Sequence, residues 1–128
     1  KTLLPQFDAA CGTLLGDLAQ RGMLEKTLVA VIGDFGRTPK INKNNAGRDH
    51  WNYCYTVMLA GGGVRPGSVY GASDRIGAYP KDNPVSPATL LATIYHLMGV
   101  DHEQELYDRF RRPHQLVKEG TVLDGILA

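Results

Sequence analysis

The chain has 128 residues, 43% hydrophobic and 21% charged, with a formal net charge of +1, which is enough for one domain with a core of its own. Lysine and arginine are scattered, so no basic patch argues for nucleic acid, and no apolar run approaches the ~20 residues that cross a bilayer, so no membrane partner is expected. Cys11 and Cys54 lack CxxC or zinc-type spacing; they permit one disulfide without demanding it and leave the compartment open.

The first segment reads as a helix over Leu3–Gln20. Leu3, Leu4, Phe7, Cys11, Leu14, Leu15 and Leu18 recur at three- and four-residue steps and form one apolar stripe. Pro5 is tolerable in a first turn, and Gly22 after Arg21 is a stop. Thr27–Ile32, β-branched and nearly all apolar, reads as a strand buried on both faces, as in sheets covered by helices on each side. The chain opens at Lys1 with no methionine and no leader pattern, which reads as a C-terminal piece of a longer protein forming a single domain over 1–128.

Arg37–Asn52 carries Pro39, Asn42, Asn44, Asn45, Gly47 and Asn52 among basic residues, which is the chemistry of a long functional loop. Tyr53–Ala60 reads as a second strand, with Cys54 an apolar filler in it, ended by Gly61-Gly62-Gly63. These glycines read as a turn, because no lysine or GxGxxG spacing makes them a phosphate cradle. Val64–Pro87 is rich in Gly, Pro, Ser and Asp, with one short strand near Ser68–Tyr70. Ser86 caps a second helix with Pro87 at its first position; Leu90, Leu91, Ile94, Tyr95, Leu97 and Met98 form its stripe and Gly99 stops it. The polar tail holds Leu116-Val117 and Val122-Leu123 as apolar anchors. Together these give an α/β chain with a partial, mostly parallel sheet flanked by helices.

The chemistry concentrates where the first strand ends, in Gly33-Asp34-Phe35-Gly36-Arg37-Thr38-Pro39, followed by Gly47-Arg48-Asp49-His50-Trp51. Ligands of open α/β sheets bind at the carboxyl edge of the strands. A carboxylate there, Asp34, can bind a cation that activates water or polarises an ester oxygen; equally, it can cap the turn through backbone amides. Arg37 offers a planar fork for an anion, or a partner for a nearby carboxylate. His50, sixteen positions after Asp34, is a candidate ligand or general acid supported by Asp49, or an ordinary surface imidazole. His96, His102 and His114 read as structural or solvated. Asp34-Phe35-Gly36 spells the kinase metal-binding tripeptide, but the phosphate loop and catalytic loop are missing, so that reading is rejected. No GxSxG elbow supplies a nucleophile.

From Leu3 to its end the pattern resembles the C-terminal part of the alkaline phosphatase and sulfatase superfamily. More closely, it resembles the often exported bacterial family called domain of unknown function 1501. The resemblance rests on the two motifs above together with Leu59-Ala60-Gly61-Gly62-Gly63 and Gly71-Ala72-Ser73-Asp74-Arg75-Ile76-Gly77, and it covers about the last third of a typical member. It implies a segment of a metal-dependent phosphate- or sulfate-ester hydrolase, inactive alone, using zinc, manganese or calcium. Asp34 would then be a metal ligand, His50 a later ligand or general acid, and Arg37 the contact to an anionic ester. Phe35 stands where the superfamily has a second ligand of the pair, and Asp49-His50 is an alternative pair. The nucleophile belongs to the N-terminal part. The resemblance further implies export to the periplasm or beyond. A partial sheet without its neighbouring strands exposes an edge prone to pairing, so association with the missing N-terminal segment or with another copy is expected. The alternative function is a non-catalytic binding or structural domain that has kept the fold and lost the metal site.

Overall fold

A computed structural model of the protein describes residues 3–44 and 46–128; Lys1 and Asn45, both named above, lie outside the described residues. Helix α1 runs Leu3–Gln20 and ends at Gly22, whose φ of 64° is the left-handed conformation that glycine adopts without strain. A 3₁₀ turn, Leu24–Lys26, leads into β1, Val29–Val31. Then come β2 (Gly36–Arg37), β3 (His50–Trp51), β4 (Met58–Ala60), β5 (Ala72–Ser73) and β6 (Pro80–Asp82). Helix α2, Pro87–Leu97, has the expected start: the Ser86 hydroxyl accepts the Thr89 N–H at 3.0 Å, with proline in the first turn. Strands β7 (Glu105–Tyr107) and β8 (Pro113–Gln115) and a 3₁₀ turn, Asp124–Ile126, complete the chain.

Helices and strands mix as in an α/β chain, but the mostly parallel sheet is not formed. The strands make four separate two-stranded antiparallel ribbons, β1–β4, β2–β3, β5–β6 and β7–β8. The reason is the connection between β1 and β4. A parallel return needs a crossover, usually a helix; here the connection holds the β2–β3 ribbon instead, and the chain comes back in the opposite direction.

Three local expectations change as well. The second strand is Met58–Ala60 rather than Tyr53–Ala60, because Tyr53 is drawn into an aromatic cluster with Trp51 and Tyr79. Ser68–Tyr70 is not a strand: Gly67 and Gly71 on either side have φ of 68° and 79°, which breaks an extended ladder, and β5 begins after them. Finally, β1 is not buried on both faces; Val29 and Val31 are half-buried and Ala30 is exposed.

The buried core is small: Ala78, Ala92, Thr93, Val117 and Ile126. Ala78 belongs to the β5–β6 turn under Trp51, whereas Ala92 and Thr93 of α2 and Val117 and Ile126 of the tail are the other buried residues, so Val117 of the Leu116-Val117 anchor is buried as its composition suggests. The glycine triplet is a turn. Its backbone joins the Leu24 turn through Gly62 N–H to Leu24 C=O at 3.0 Å and the tail through Ala128 N–H to Gly63 C=O at 2.9 Å. A Cβ on Gly61 would run into the Thr27 and Leu24 carbonyl oxygens, so only glycine lets the turn close against β1. Cys11 and Cys54 are free thiols, both half-buried, and Cys54 lies outside any strand.

Candidate functional site

The motif residues meet on the β2–β3 ribbon. Its register sets Gly36 opposite Trp51 and Arg37 opposite His50, and alternation along a strand separates these pairs onto the two faces. Arg37 and His50 therefore share one face, joined by Phe35 two positions before Arg37. The Phe35 and His50 rings stack with centroids 3.8 Å apart at 25°. The Arg37 guanidinium carbon lies 5.5 Å from the Phe35 centroid, within reach of the ring's negative face. Trp51 occupies the other face. Its indole N–H donates to the Ala78 carbonyl at 2.6 Å, and Tyr53 and Tyr79 pack around it at 4.9 and 5.6 Å between ring centroids.

Gly36 makes the ribbon possible. A Cβ there would overlap the Cys54 carbonyl oxygen and press on that of Trp51.

The loop between β2 and β3 is closed by its own polar groups. Thr38 N–H donates to Asp49 C=O at 3.0 Å, and Asp49 N–H returns to the Thr38 hydroxyl at 3.1 Å. The Asn42 amide donates to the Asp49 carboxylate at 2.8 Å. Arg48 donates to the Thr38 and Pro39 carbonyls at 2.9 and 3.1 Å, and Arg37 to the Arg48 carbonyl at 3.2 Å. Asp49 and Arg48 thus hold the loop's shape. Arg37 commits one of its five N–H donors and stays exposed, so most of its fork faces solvent.

Asp34 follows β1 in a bend and is exposed. Among the described residues no hydrogen bond or ion pair engages its carboxylate, so it does not cap the turn through backbone amides. Nor do the described residues include three or more His, Cys, Asp or Glu side chains grouped to hold a metal ion. The donors present do not fit a self-contained zinc, manganese or calcium centre: Asp49 is bonded to Asn42, and the hydrocarbon ring of Phe35 covers one face of His50.

Two carboxylates with a clear role had no role assigned from sequence. Asp74, within the Gly71–Gly77 motif, accepts the Ala78 and Ile76 N–H groups at 2.8 and 3.1 Å. The Ala78 N–H is the strongest of several backbone donors that hold its carboxyl below the ordinary range. Asp74 thereby shapes the turn that presents the Ala78 carbonyl to Trp51, and the S-D-x-x-G spacing of an Asx-type turn is the signal that could have found it. Asp108 does the same at the β7–β8 turn. The Arg112 N–H, the Arg112 side chain and the Phe110 N–H lower its pKa, and His114 Nε2 lies 3.4 Å away. His114 is thus a strand residue of β8 whose ring lies beside the Asp108 carboxylate, and His96 is an exposed residue in the last turn of α2.

No helix among the described residues is long and apolar enough to cross a membrane. No curated protein and no solved structure matches the chain. One family model does, over residues 1–127, and the chain belongs to that family, described as protein of unknown function (DUF1501).

Proposed function

We propose that this chain is a segment of a sulfatase-like phosphate- or sulfate-ester hydrolase, that it supplies an anion-recognising wall, and that it is inactive alone. The observation that carries the reading is the Arg37–His50 pairing on one exposed face of the ribbon, with most of the Arg37 fork unused. A guanidinium fork matches two oxygens of a tetrahedral anion, and an imidazole beside it can donate a further hydrogen bond. Phe35 holds both groups in place by stacking on one and lying under the other. The free carboxylate of Asp34 lies two positions before Gly36, available to a site completed elsewhere. A nucleophile, and whatever completes the site around Asp34, would come from the segment preceding this one or from another polypeptide.

The second reading is a binding or structural domain that has kept the fold and lost the metal site. Phe35 covering His50 and Asn42 occupying Asp49 favour it.

Calorimetric titration of the metal-stripped chain with inorganic phosphate and sulfate separates the two. The first reading expects binding weakened about tenfold by Arg37→Gln, roughly one charge-assisted hydrogen bond. Arg109→Gln, altering an arginine that lies over Phe110 instead, should bind as the unaltered chain does. Absence of binding, or equal binding by Arg37→Gln, leaves the second reading.

A further inference from the structure

The loop between β2 and β3 gathers the positive charge of the chain. Residues 37–50 hold four basic side chains, Arg37, Lys40, Lys43 and Arg48, and one acid, Asp49. With histidine neutral that is a net +3, against +1 for the whole chain, so the other residues sum to −2. Within the loop, Lys40, Asn42, Lys43 and Asn44 line a cleft of about 350 Å³, inside the range of small-molecule sites. No carboxylate lines it, and among the described residues no hydrogen bond or ion pair engages either ammonium group. Lysine offers donors and no acceptor. Two ammonium groups on one cleft without a counter-charge in its walls repel each other, and an anion between them removes that cost.

Principles of chain geometry and the bonds of the loop fix this cleft to the end of the Arg37–His50 face. The Thr38 hydroxyl, one residue beyond Arg37, donates to the Lys40 carbonyl at 3.0 Å. The Asn42 amide donates to the carboxylate of Asp49, the residue before His50, at 2.8 Å. Between them the Asn42 N–H donates to Gly47 C=O at 2.8 Å and the Ala46 N–H to Asn42 C=O at 3.1 Å, which closes the turn. Arg37 leans toward this loop, since its guanidinium donates to the Arg48 carbonyl at 3.2 Å. Three residues of chain, at most about 10 Å, separate Arg37 from Lys40, a gap that two long side chains span.

We infer that the Arg37–His50 face and this cleft form one elongated anion site, and that its substrate carries a second phosphate or sulfate group beside the one at Arg37. The first group takes the Arg37 fork and the His50 ring. The second takes Lys40 and Lys43, point charges suited to a tetrahedral anion, with the Asn44 amide as a further donor. This rests on the reading above and narrows it from simple esters to multiply charged ones.

Calorimetry on the metal-stripped chain compares inorganic phosphate with linear tripolyphosphate at fixed ionic strength. Both probes offer the first group, so the ratio of their affinities reads the cleft. Tripolyphosphate should bind about tenfold tighter or more. Lys40→Gln combined with Lys43→Gln, at exposed and unpaired side chains, should bring the ratio close to one. Lys26→Gln combined with Lys118→Gln removes the same charge from exposed lysines outside the loop and should leave the ratio as it is. Equal affinity for the two probes overturns the inference. So does a ratio that the loop variant leaves intact, or that both double variants lower alike. Phosphate with Arg37→Gln is read separately: a chain that binds phosphate through Arg37, but tripolyphosphate no more tightly, loses this inference and keeps the reading above. Tight tripolyphosphate binding that Arg37→Gln leaves unchanged overturns both.

Discussion

Thr93 joins α2 to the tail, and removing its hydroxyl tests how the small core is held. It is completely buried (0% exposed). Its hydroxyl donates to the Thr89 carbonyl at 2.8 Å and accepts the Leu123 N–H at 3.0 Å. Thr93→Val replaces the hydroxyl with a methyl of similar size, so packing is kept while the Leu123 N–H is left without an acceptor. The Thr89 carbonyl is an acceptor in the helical ladder in any case. The cost is therefore set by the stranded N–H, about 1–3 kcal/mol. With a urea dependence of about 1–3 kcal/mol per molar for a small domain, the unfolding midpoint should fall by about 1 M. Urea titration by far-ultraviolet circular dichroism measures the shift, and hydrogen exchange at the Leu123 amide assigns it. Thr93→Ser keeps the hydroxyl and loses a methyl, so its Leu123 amide should stay protected. If Thr93→Val is as stable as the unaltered chain with Leu123 still protected, while Thr93→Ser is destabilised, the methyl holds this joint and the hydrogen-bond argument is wrong.

Gly36→Ala should open the β2–β3 ribbon, because its Cβ would overlap the Cys54 carbonyl oxygen; the expected cost is about 1–3 kcal/mol, read as a lower urea midpoint together with a shift in Trp51 emission. Asp74 has a carboxyl pKa held below its ordinary 3.8, so its contribution is complete above that value and is lost as pH falls through the lower folded one. Trp51, the only tryptophan, should keep constant emission from neutral pH down to the ordinary carboxylate range and shift in stronger acid. Asp74→Asn should remove that transition, and Asp108→Asn should leave it in place. Titration of the metal-stripped chain with zinc, manganese and calcium should show no tight one-to-one binding; tight binding lost in both Asp34→Ala and His50→Ala would show a metal centre that the three-donor argument misses.

Local chemistry was legible wherever a residue acts on its own neighbours. Ser86 and Pro87 start α2 and Gly22 ends α1, because caps are written within a few residues. The glycine triplet is a turn for the same reason. Strand direction was not legible. The run Thr27–Ile32 has the composition of a doubly covered strand, but direction depends on what crosses between strands, and residues 37–52 fold into a ribbon rather than a helix. The surroundings such a composition calls for are missing from the described chain, and the bare α1 stripe and the exposed Ala30 record that same gap. In the site, the motif residues Arg37 and His50 do meet, through the pairing register. Asp49 looked like a partner for His50 and instead closes its own loop through Asn42, a contact that spacing alone does not encode. The role of Asp74 was hidden in the same way, since its effect on Trp51 passes through the Ala78 carbonyl in a different ribbon.

The central claim is that one face of the β2–β3 ribbon is built to meet an anion, and site-resolved nuclear magnetic resonance tests it most directly. Inorganic phosphate would be titrated into the isotope-labelled, metal-stripped chain while the Arg37 guanidinium, the His50 ring and the backbone amides are followed. The account expects shifts that saturate together at Arg37 and His50, leave Arg109 and His114 unmoved, and disappear in Arg37→Gln. Shifts spread evenly over the lysines and arginines, or no shift at Arg37 and His50, would contradict it.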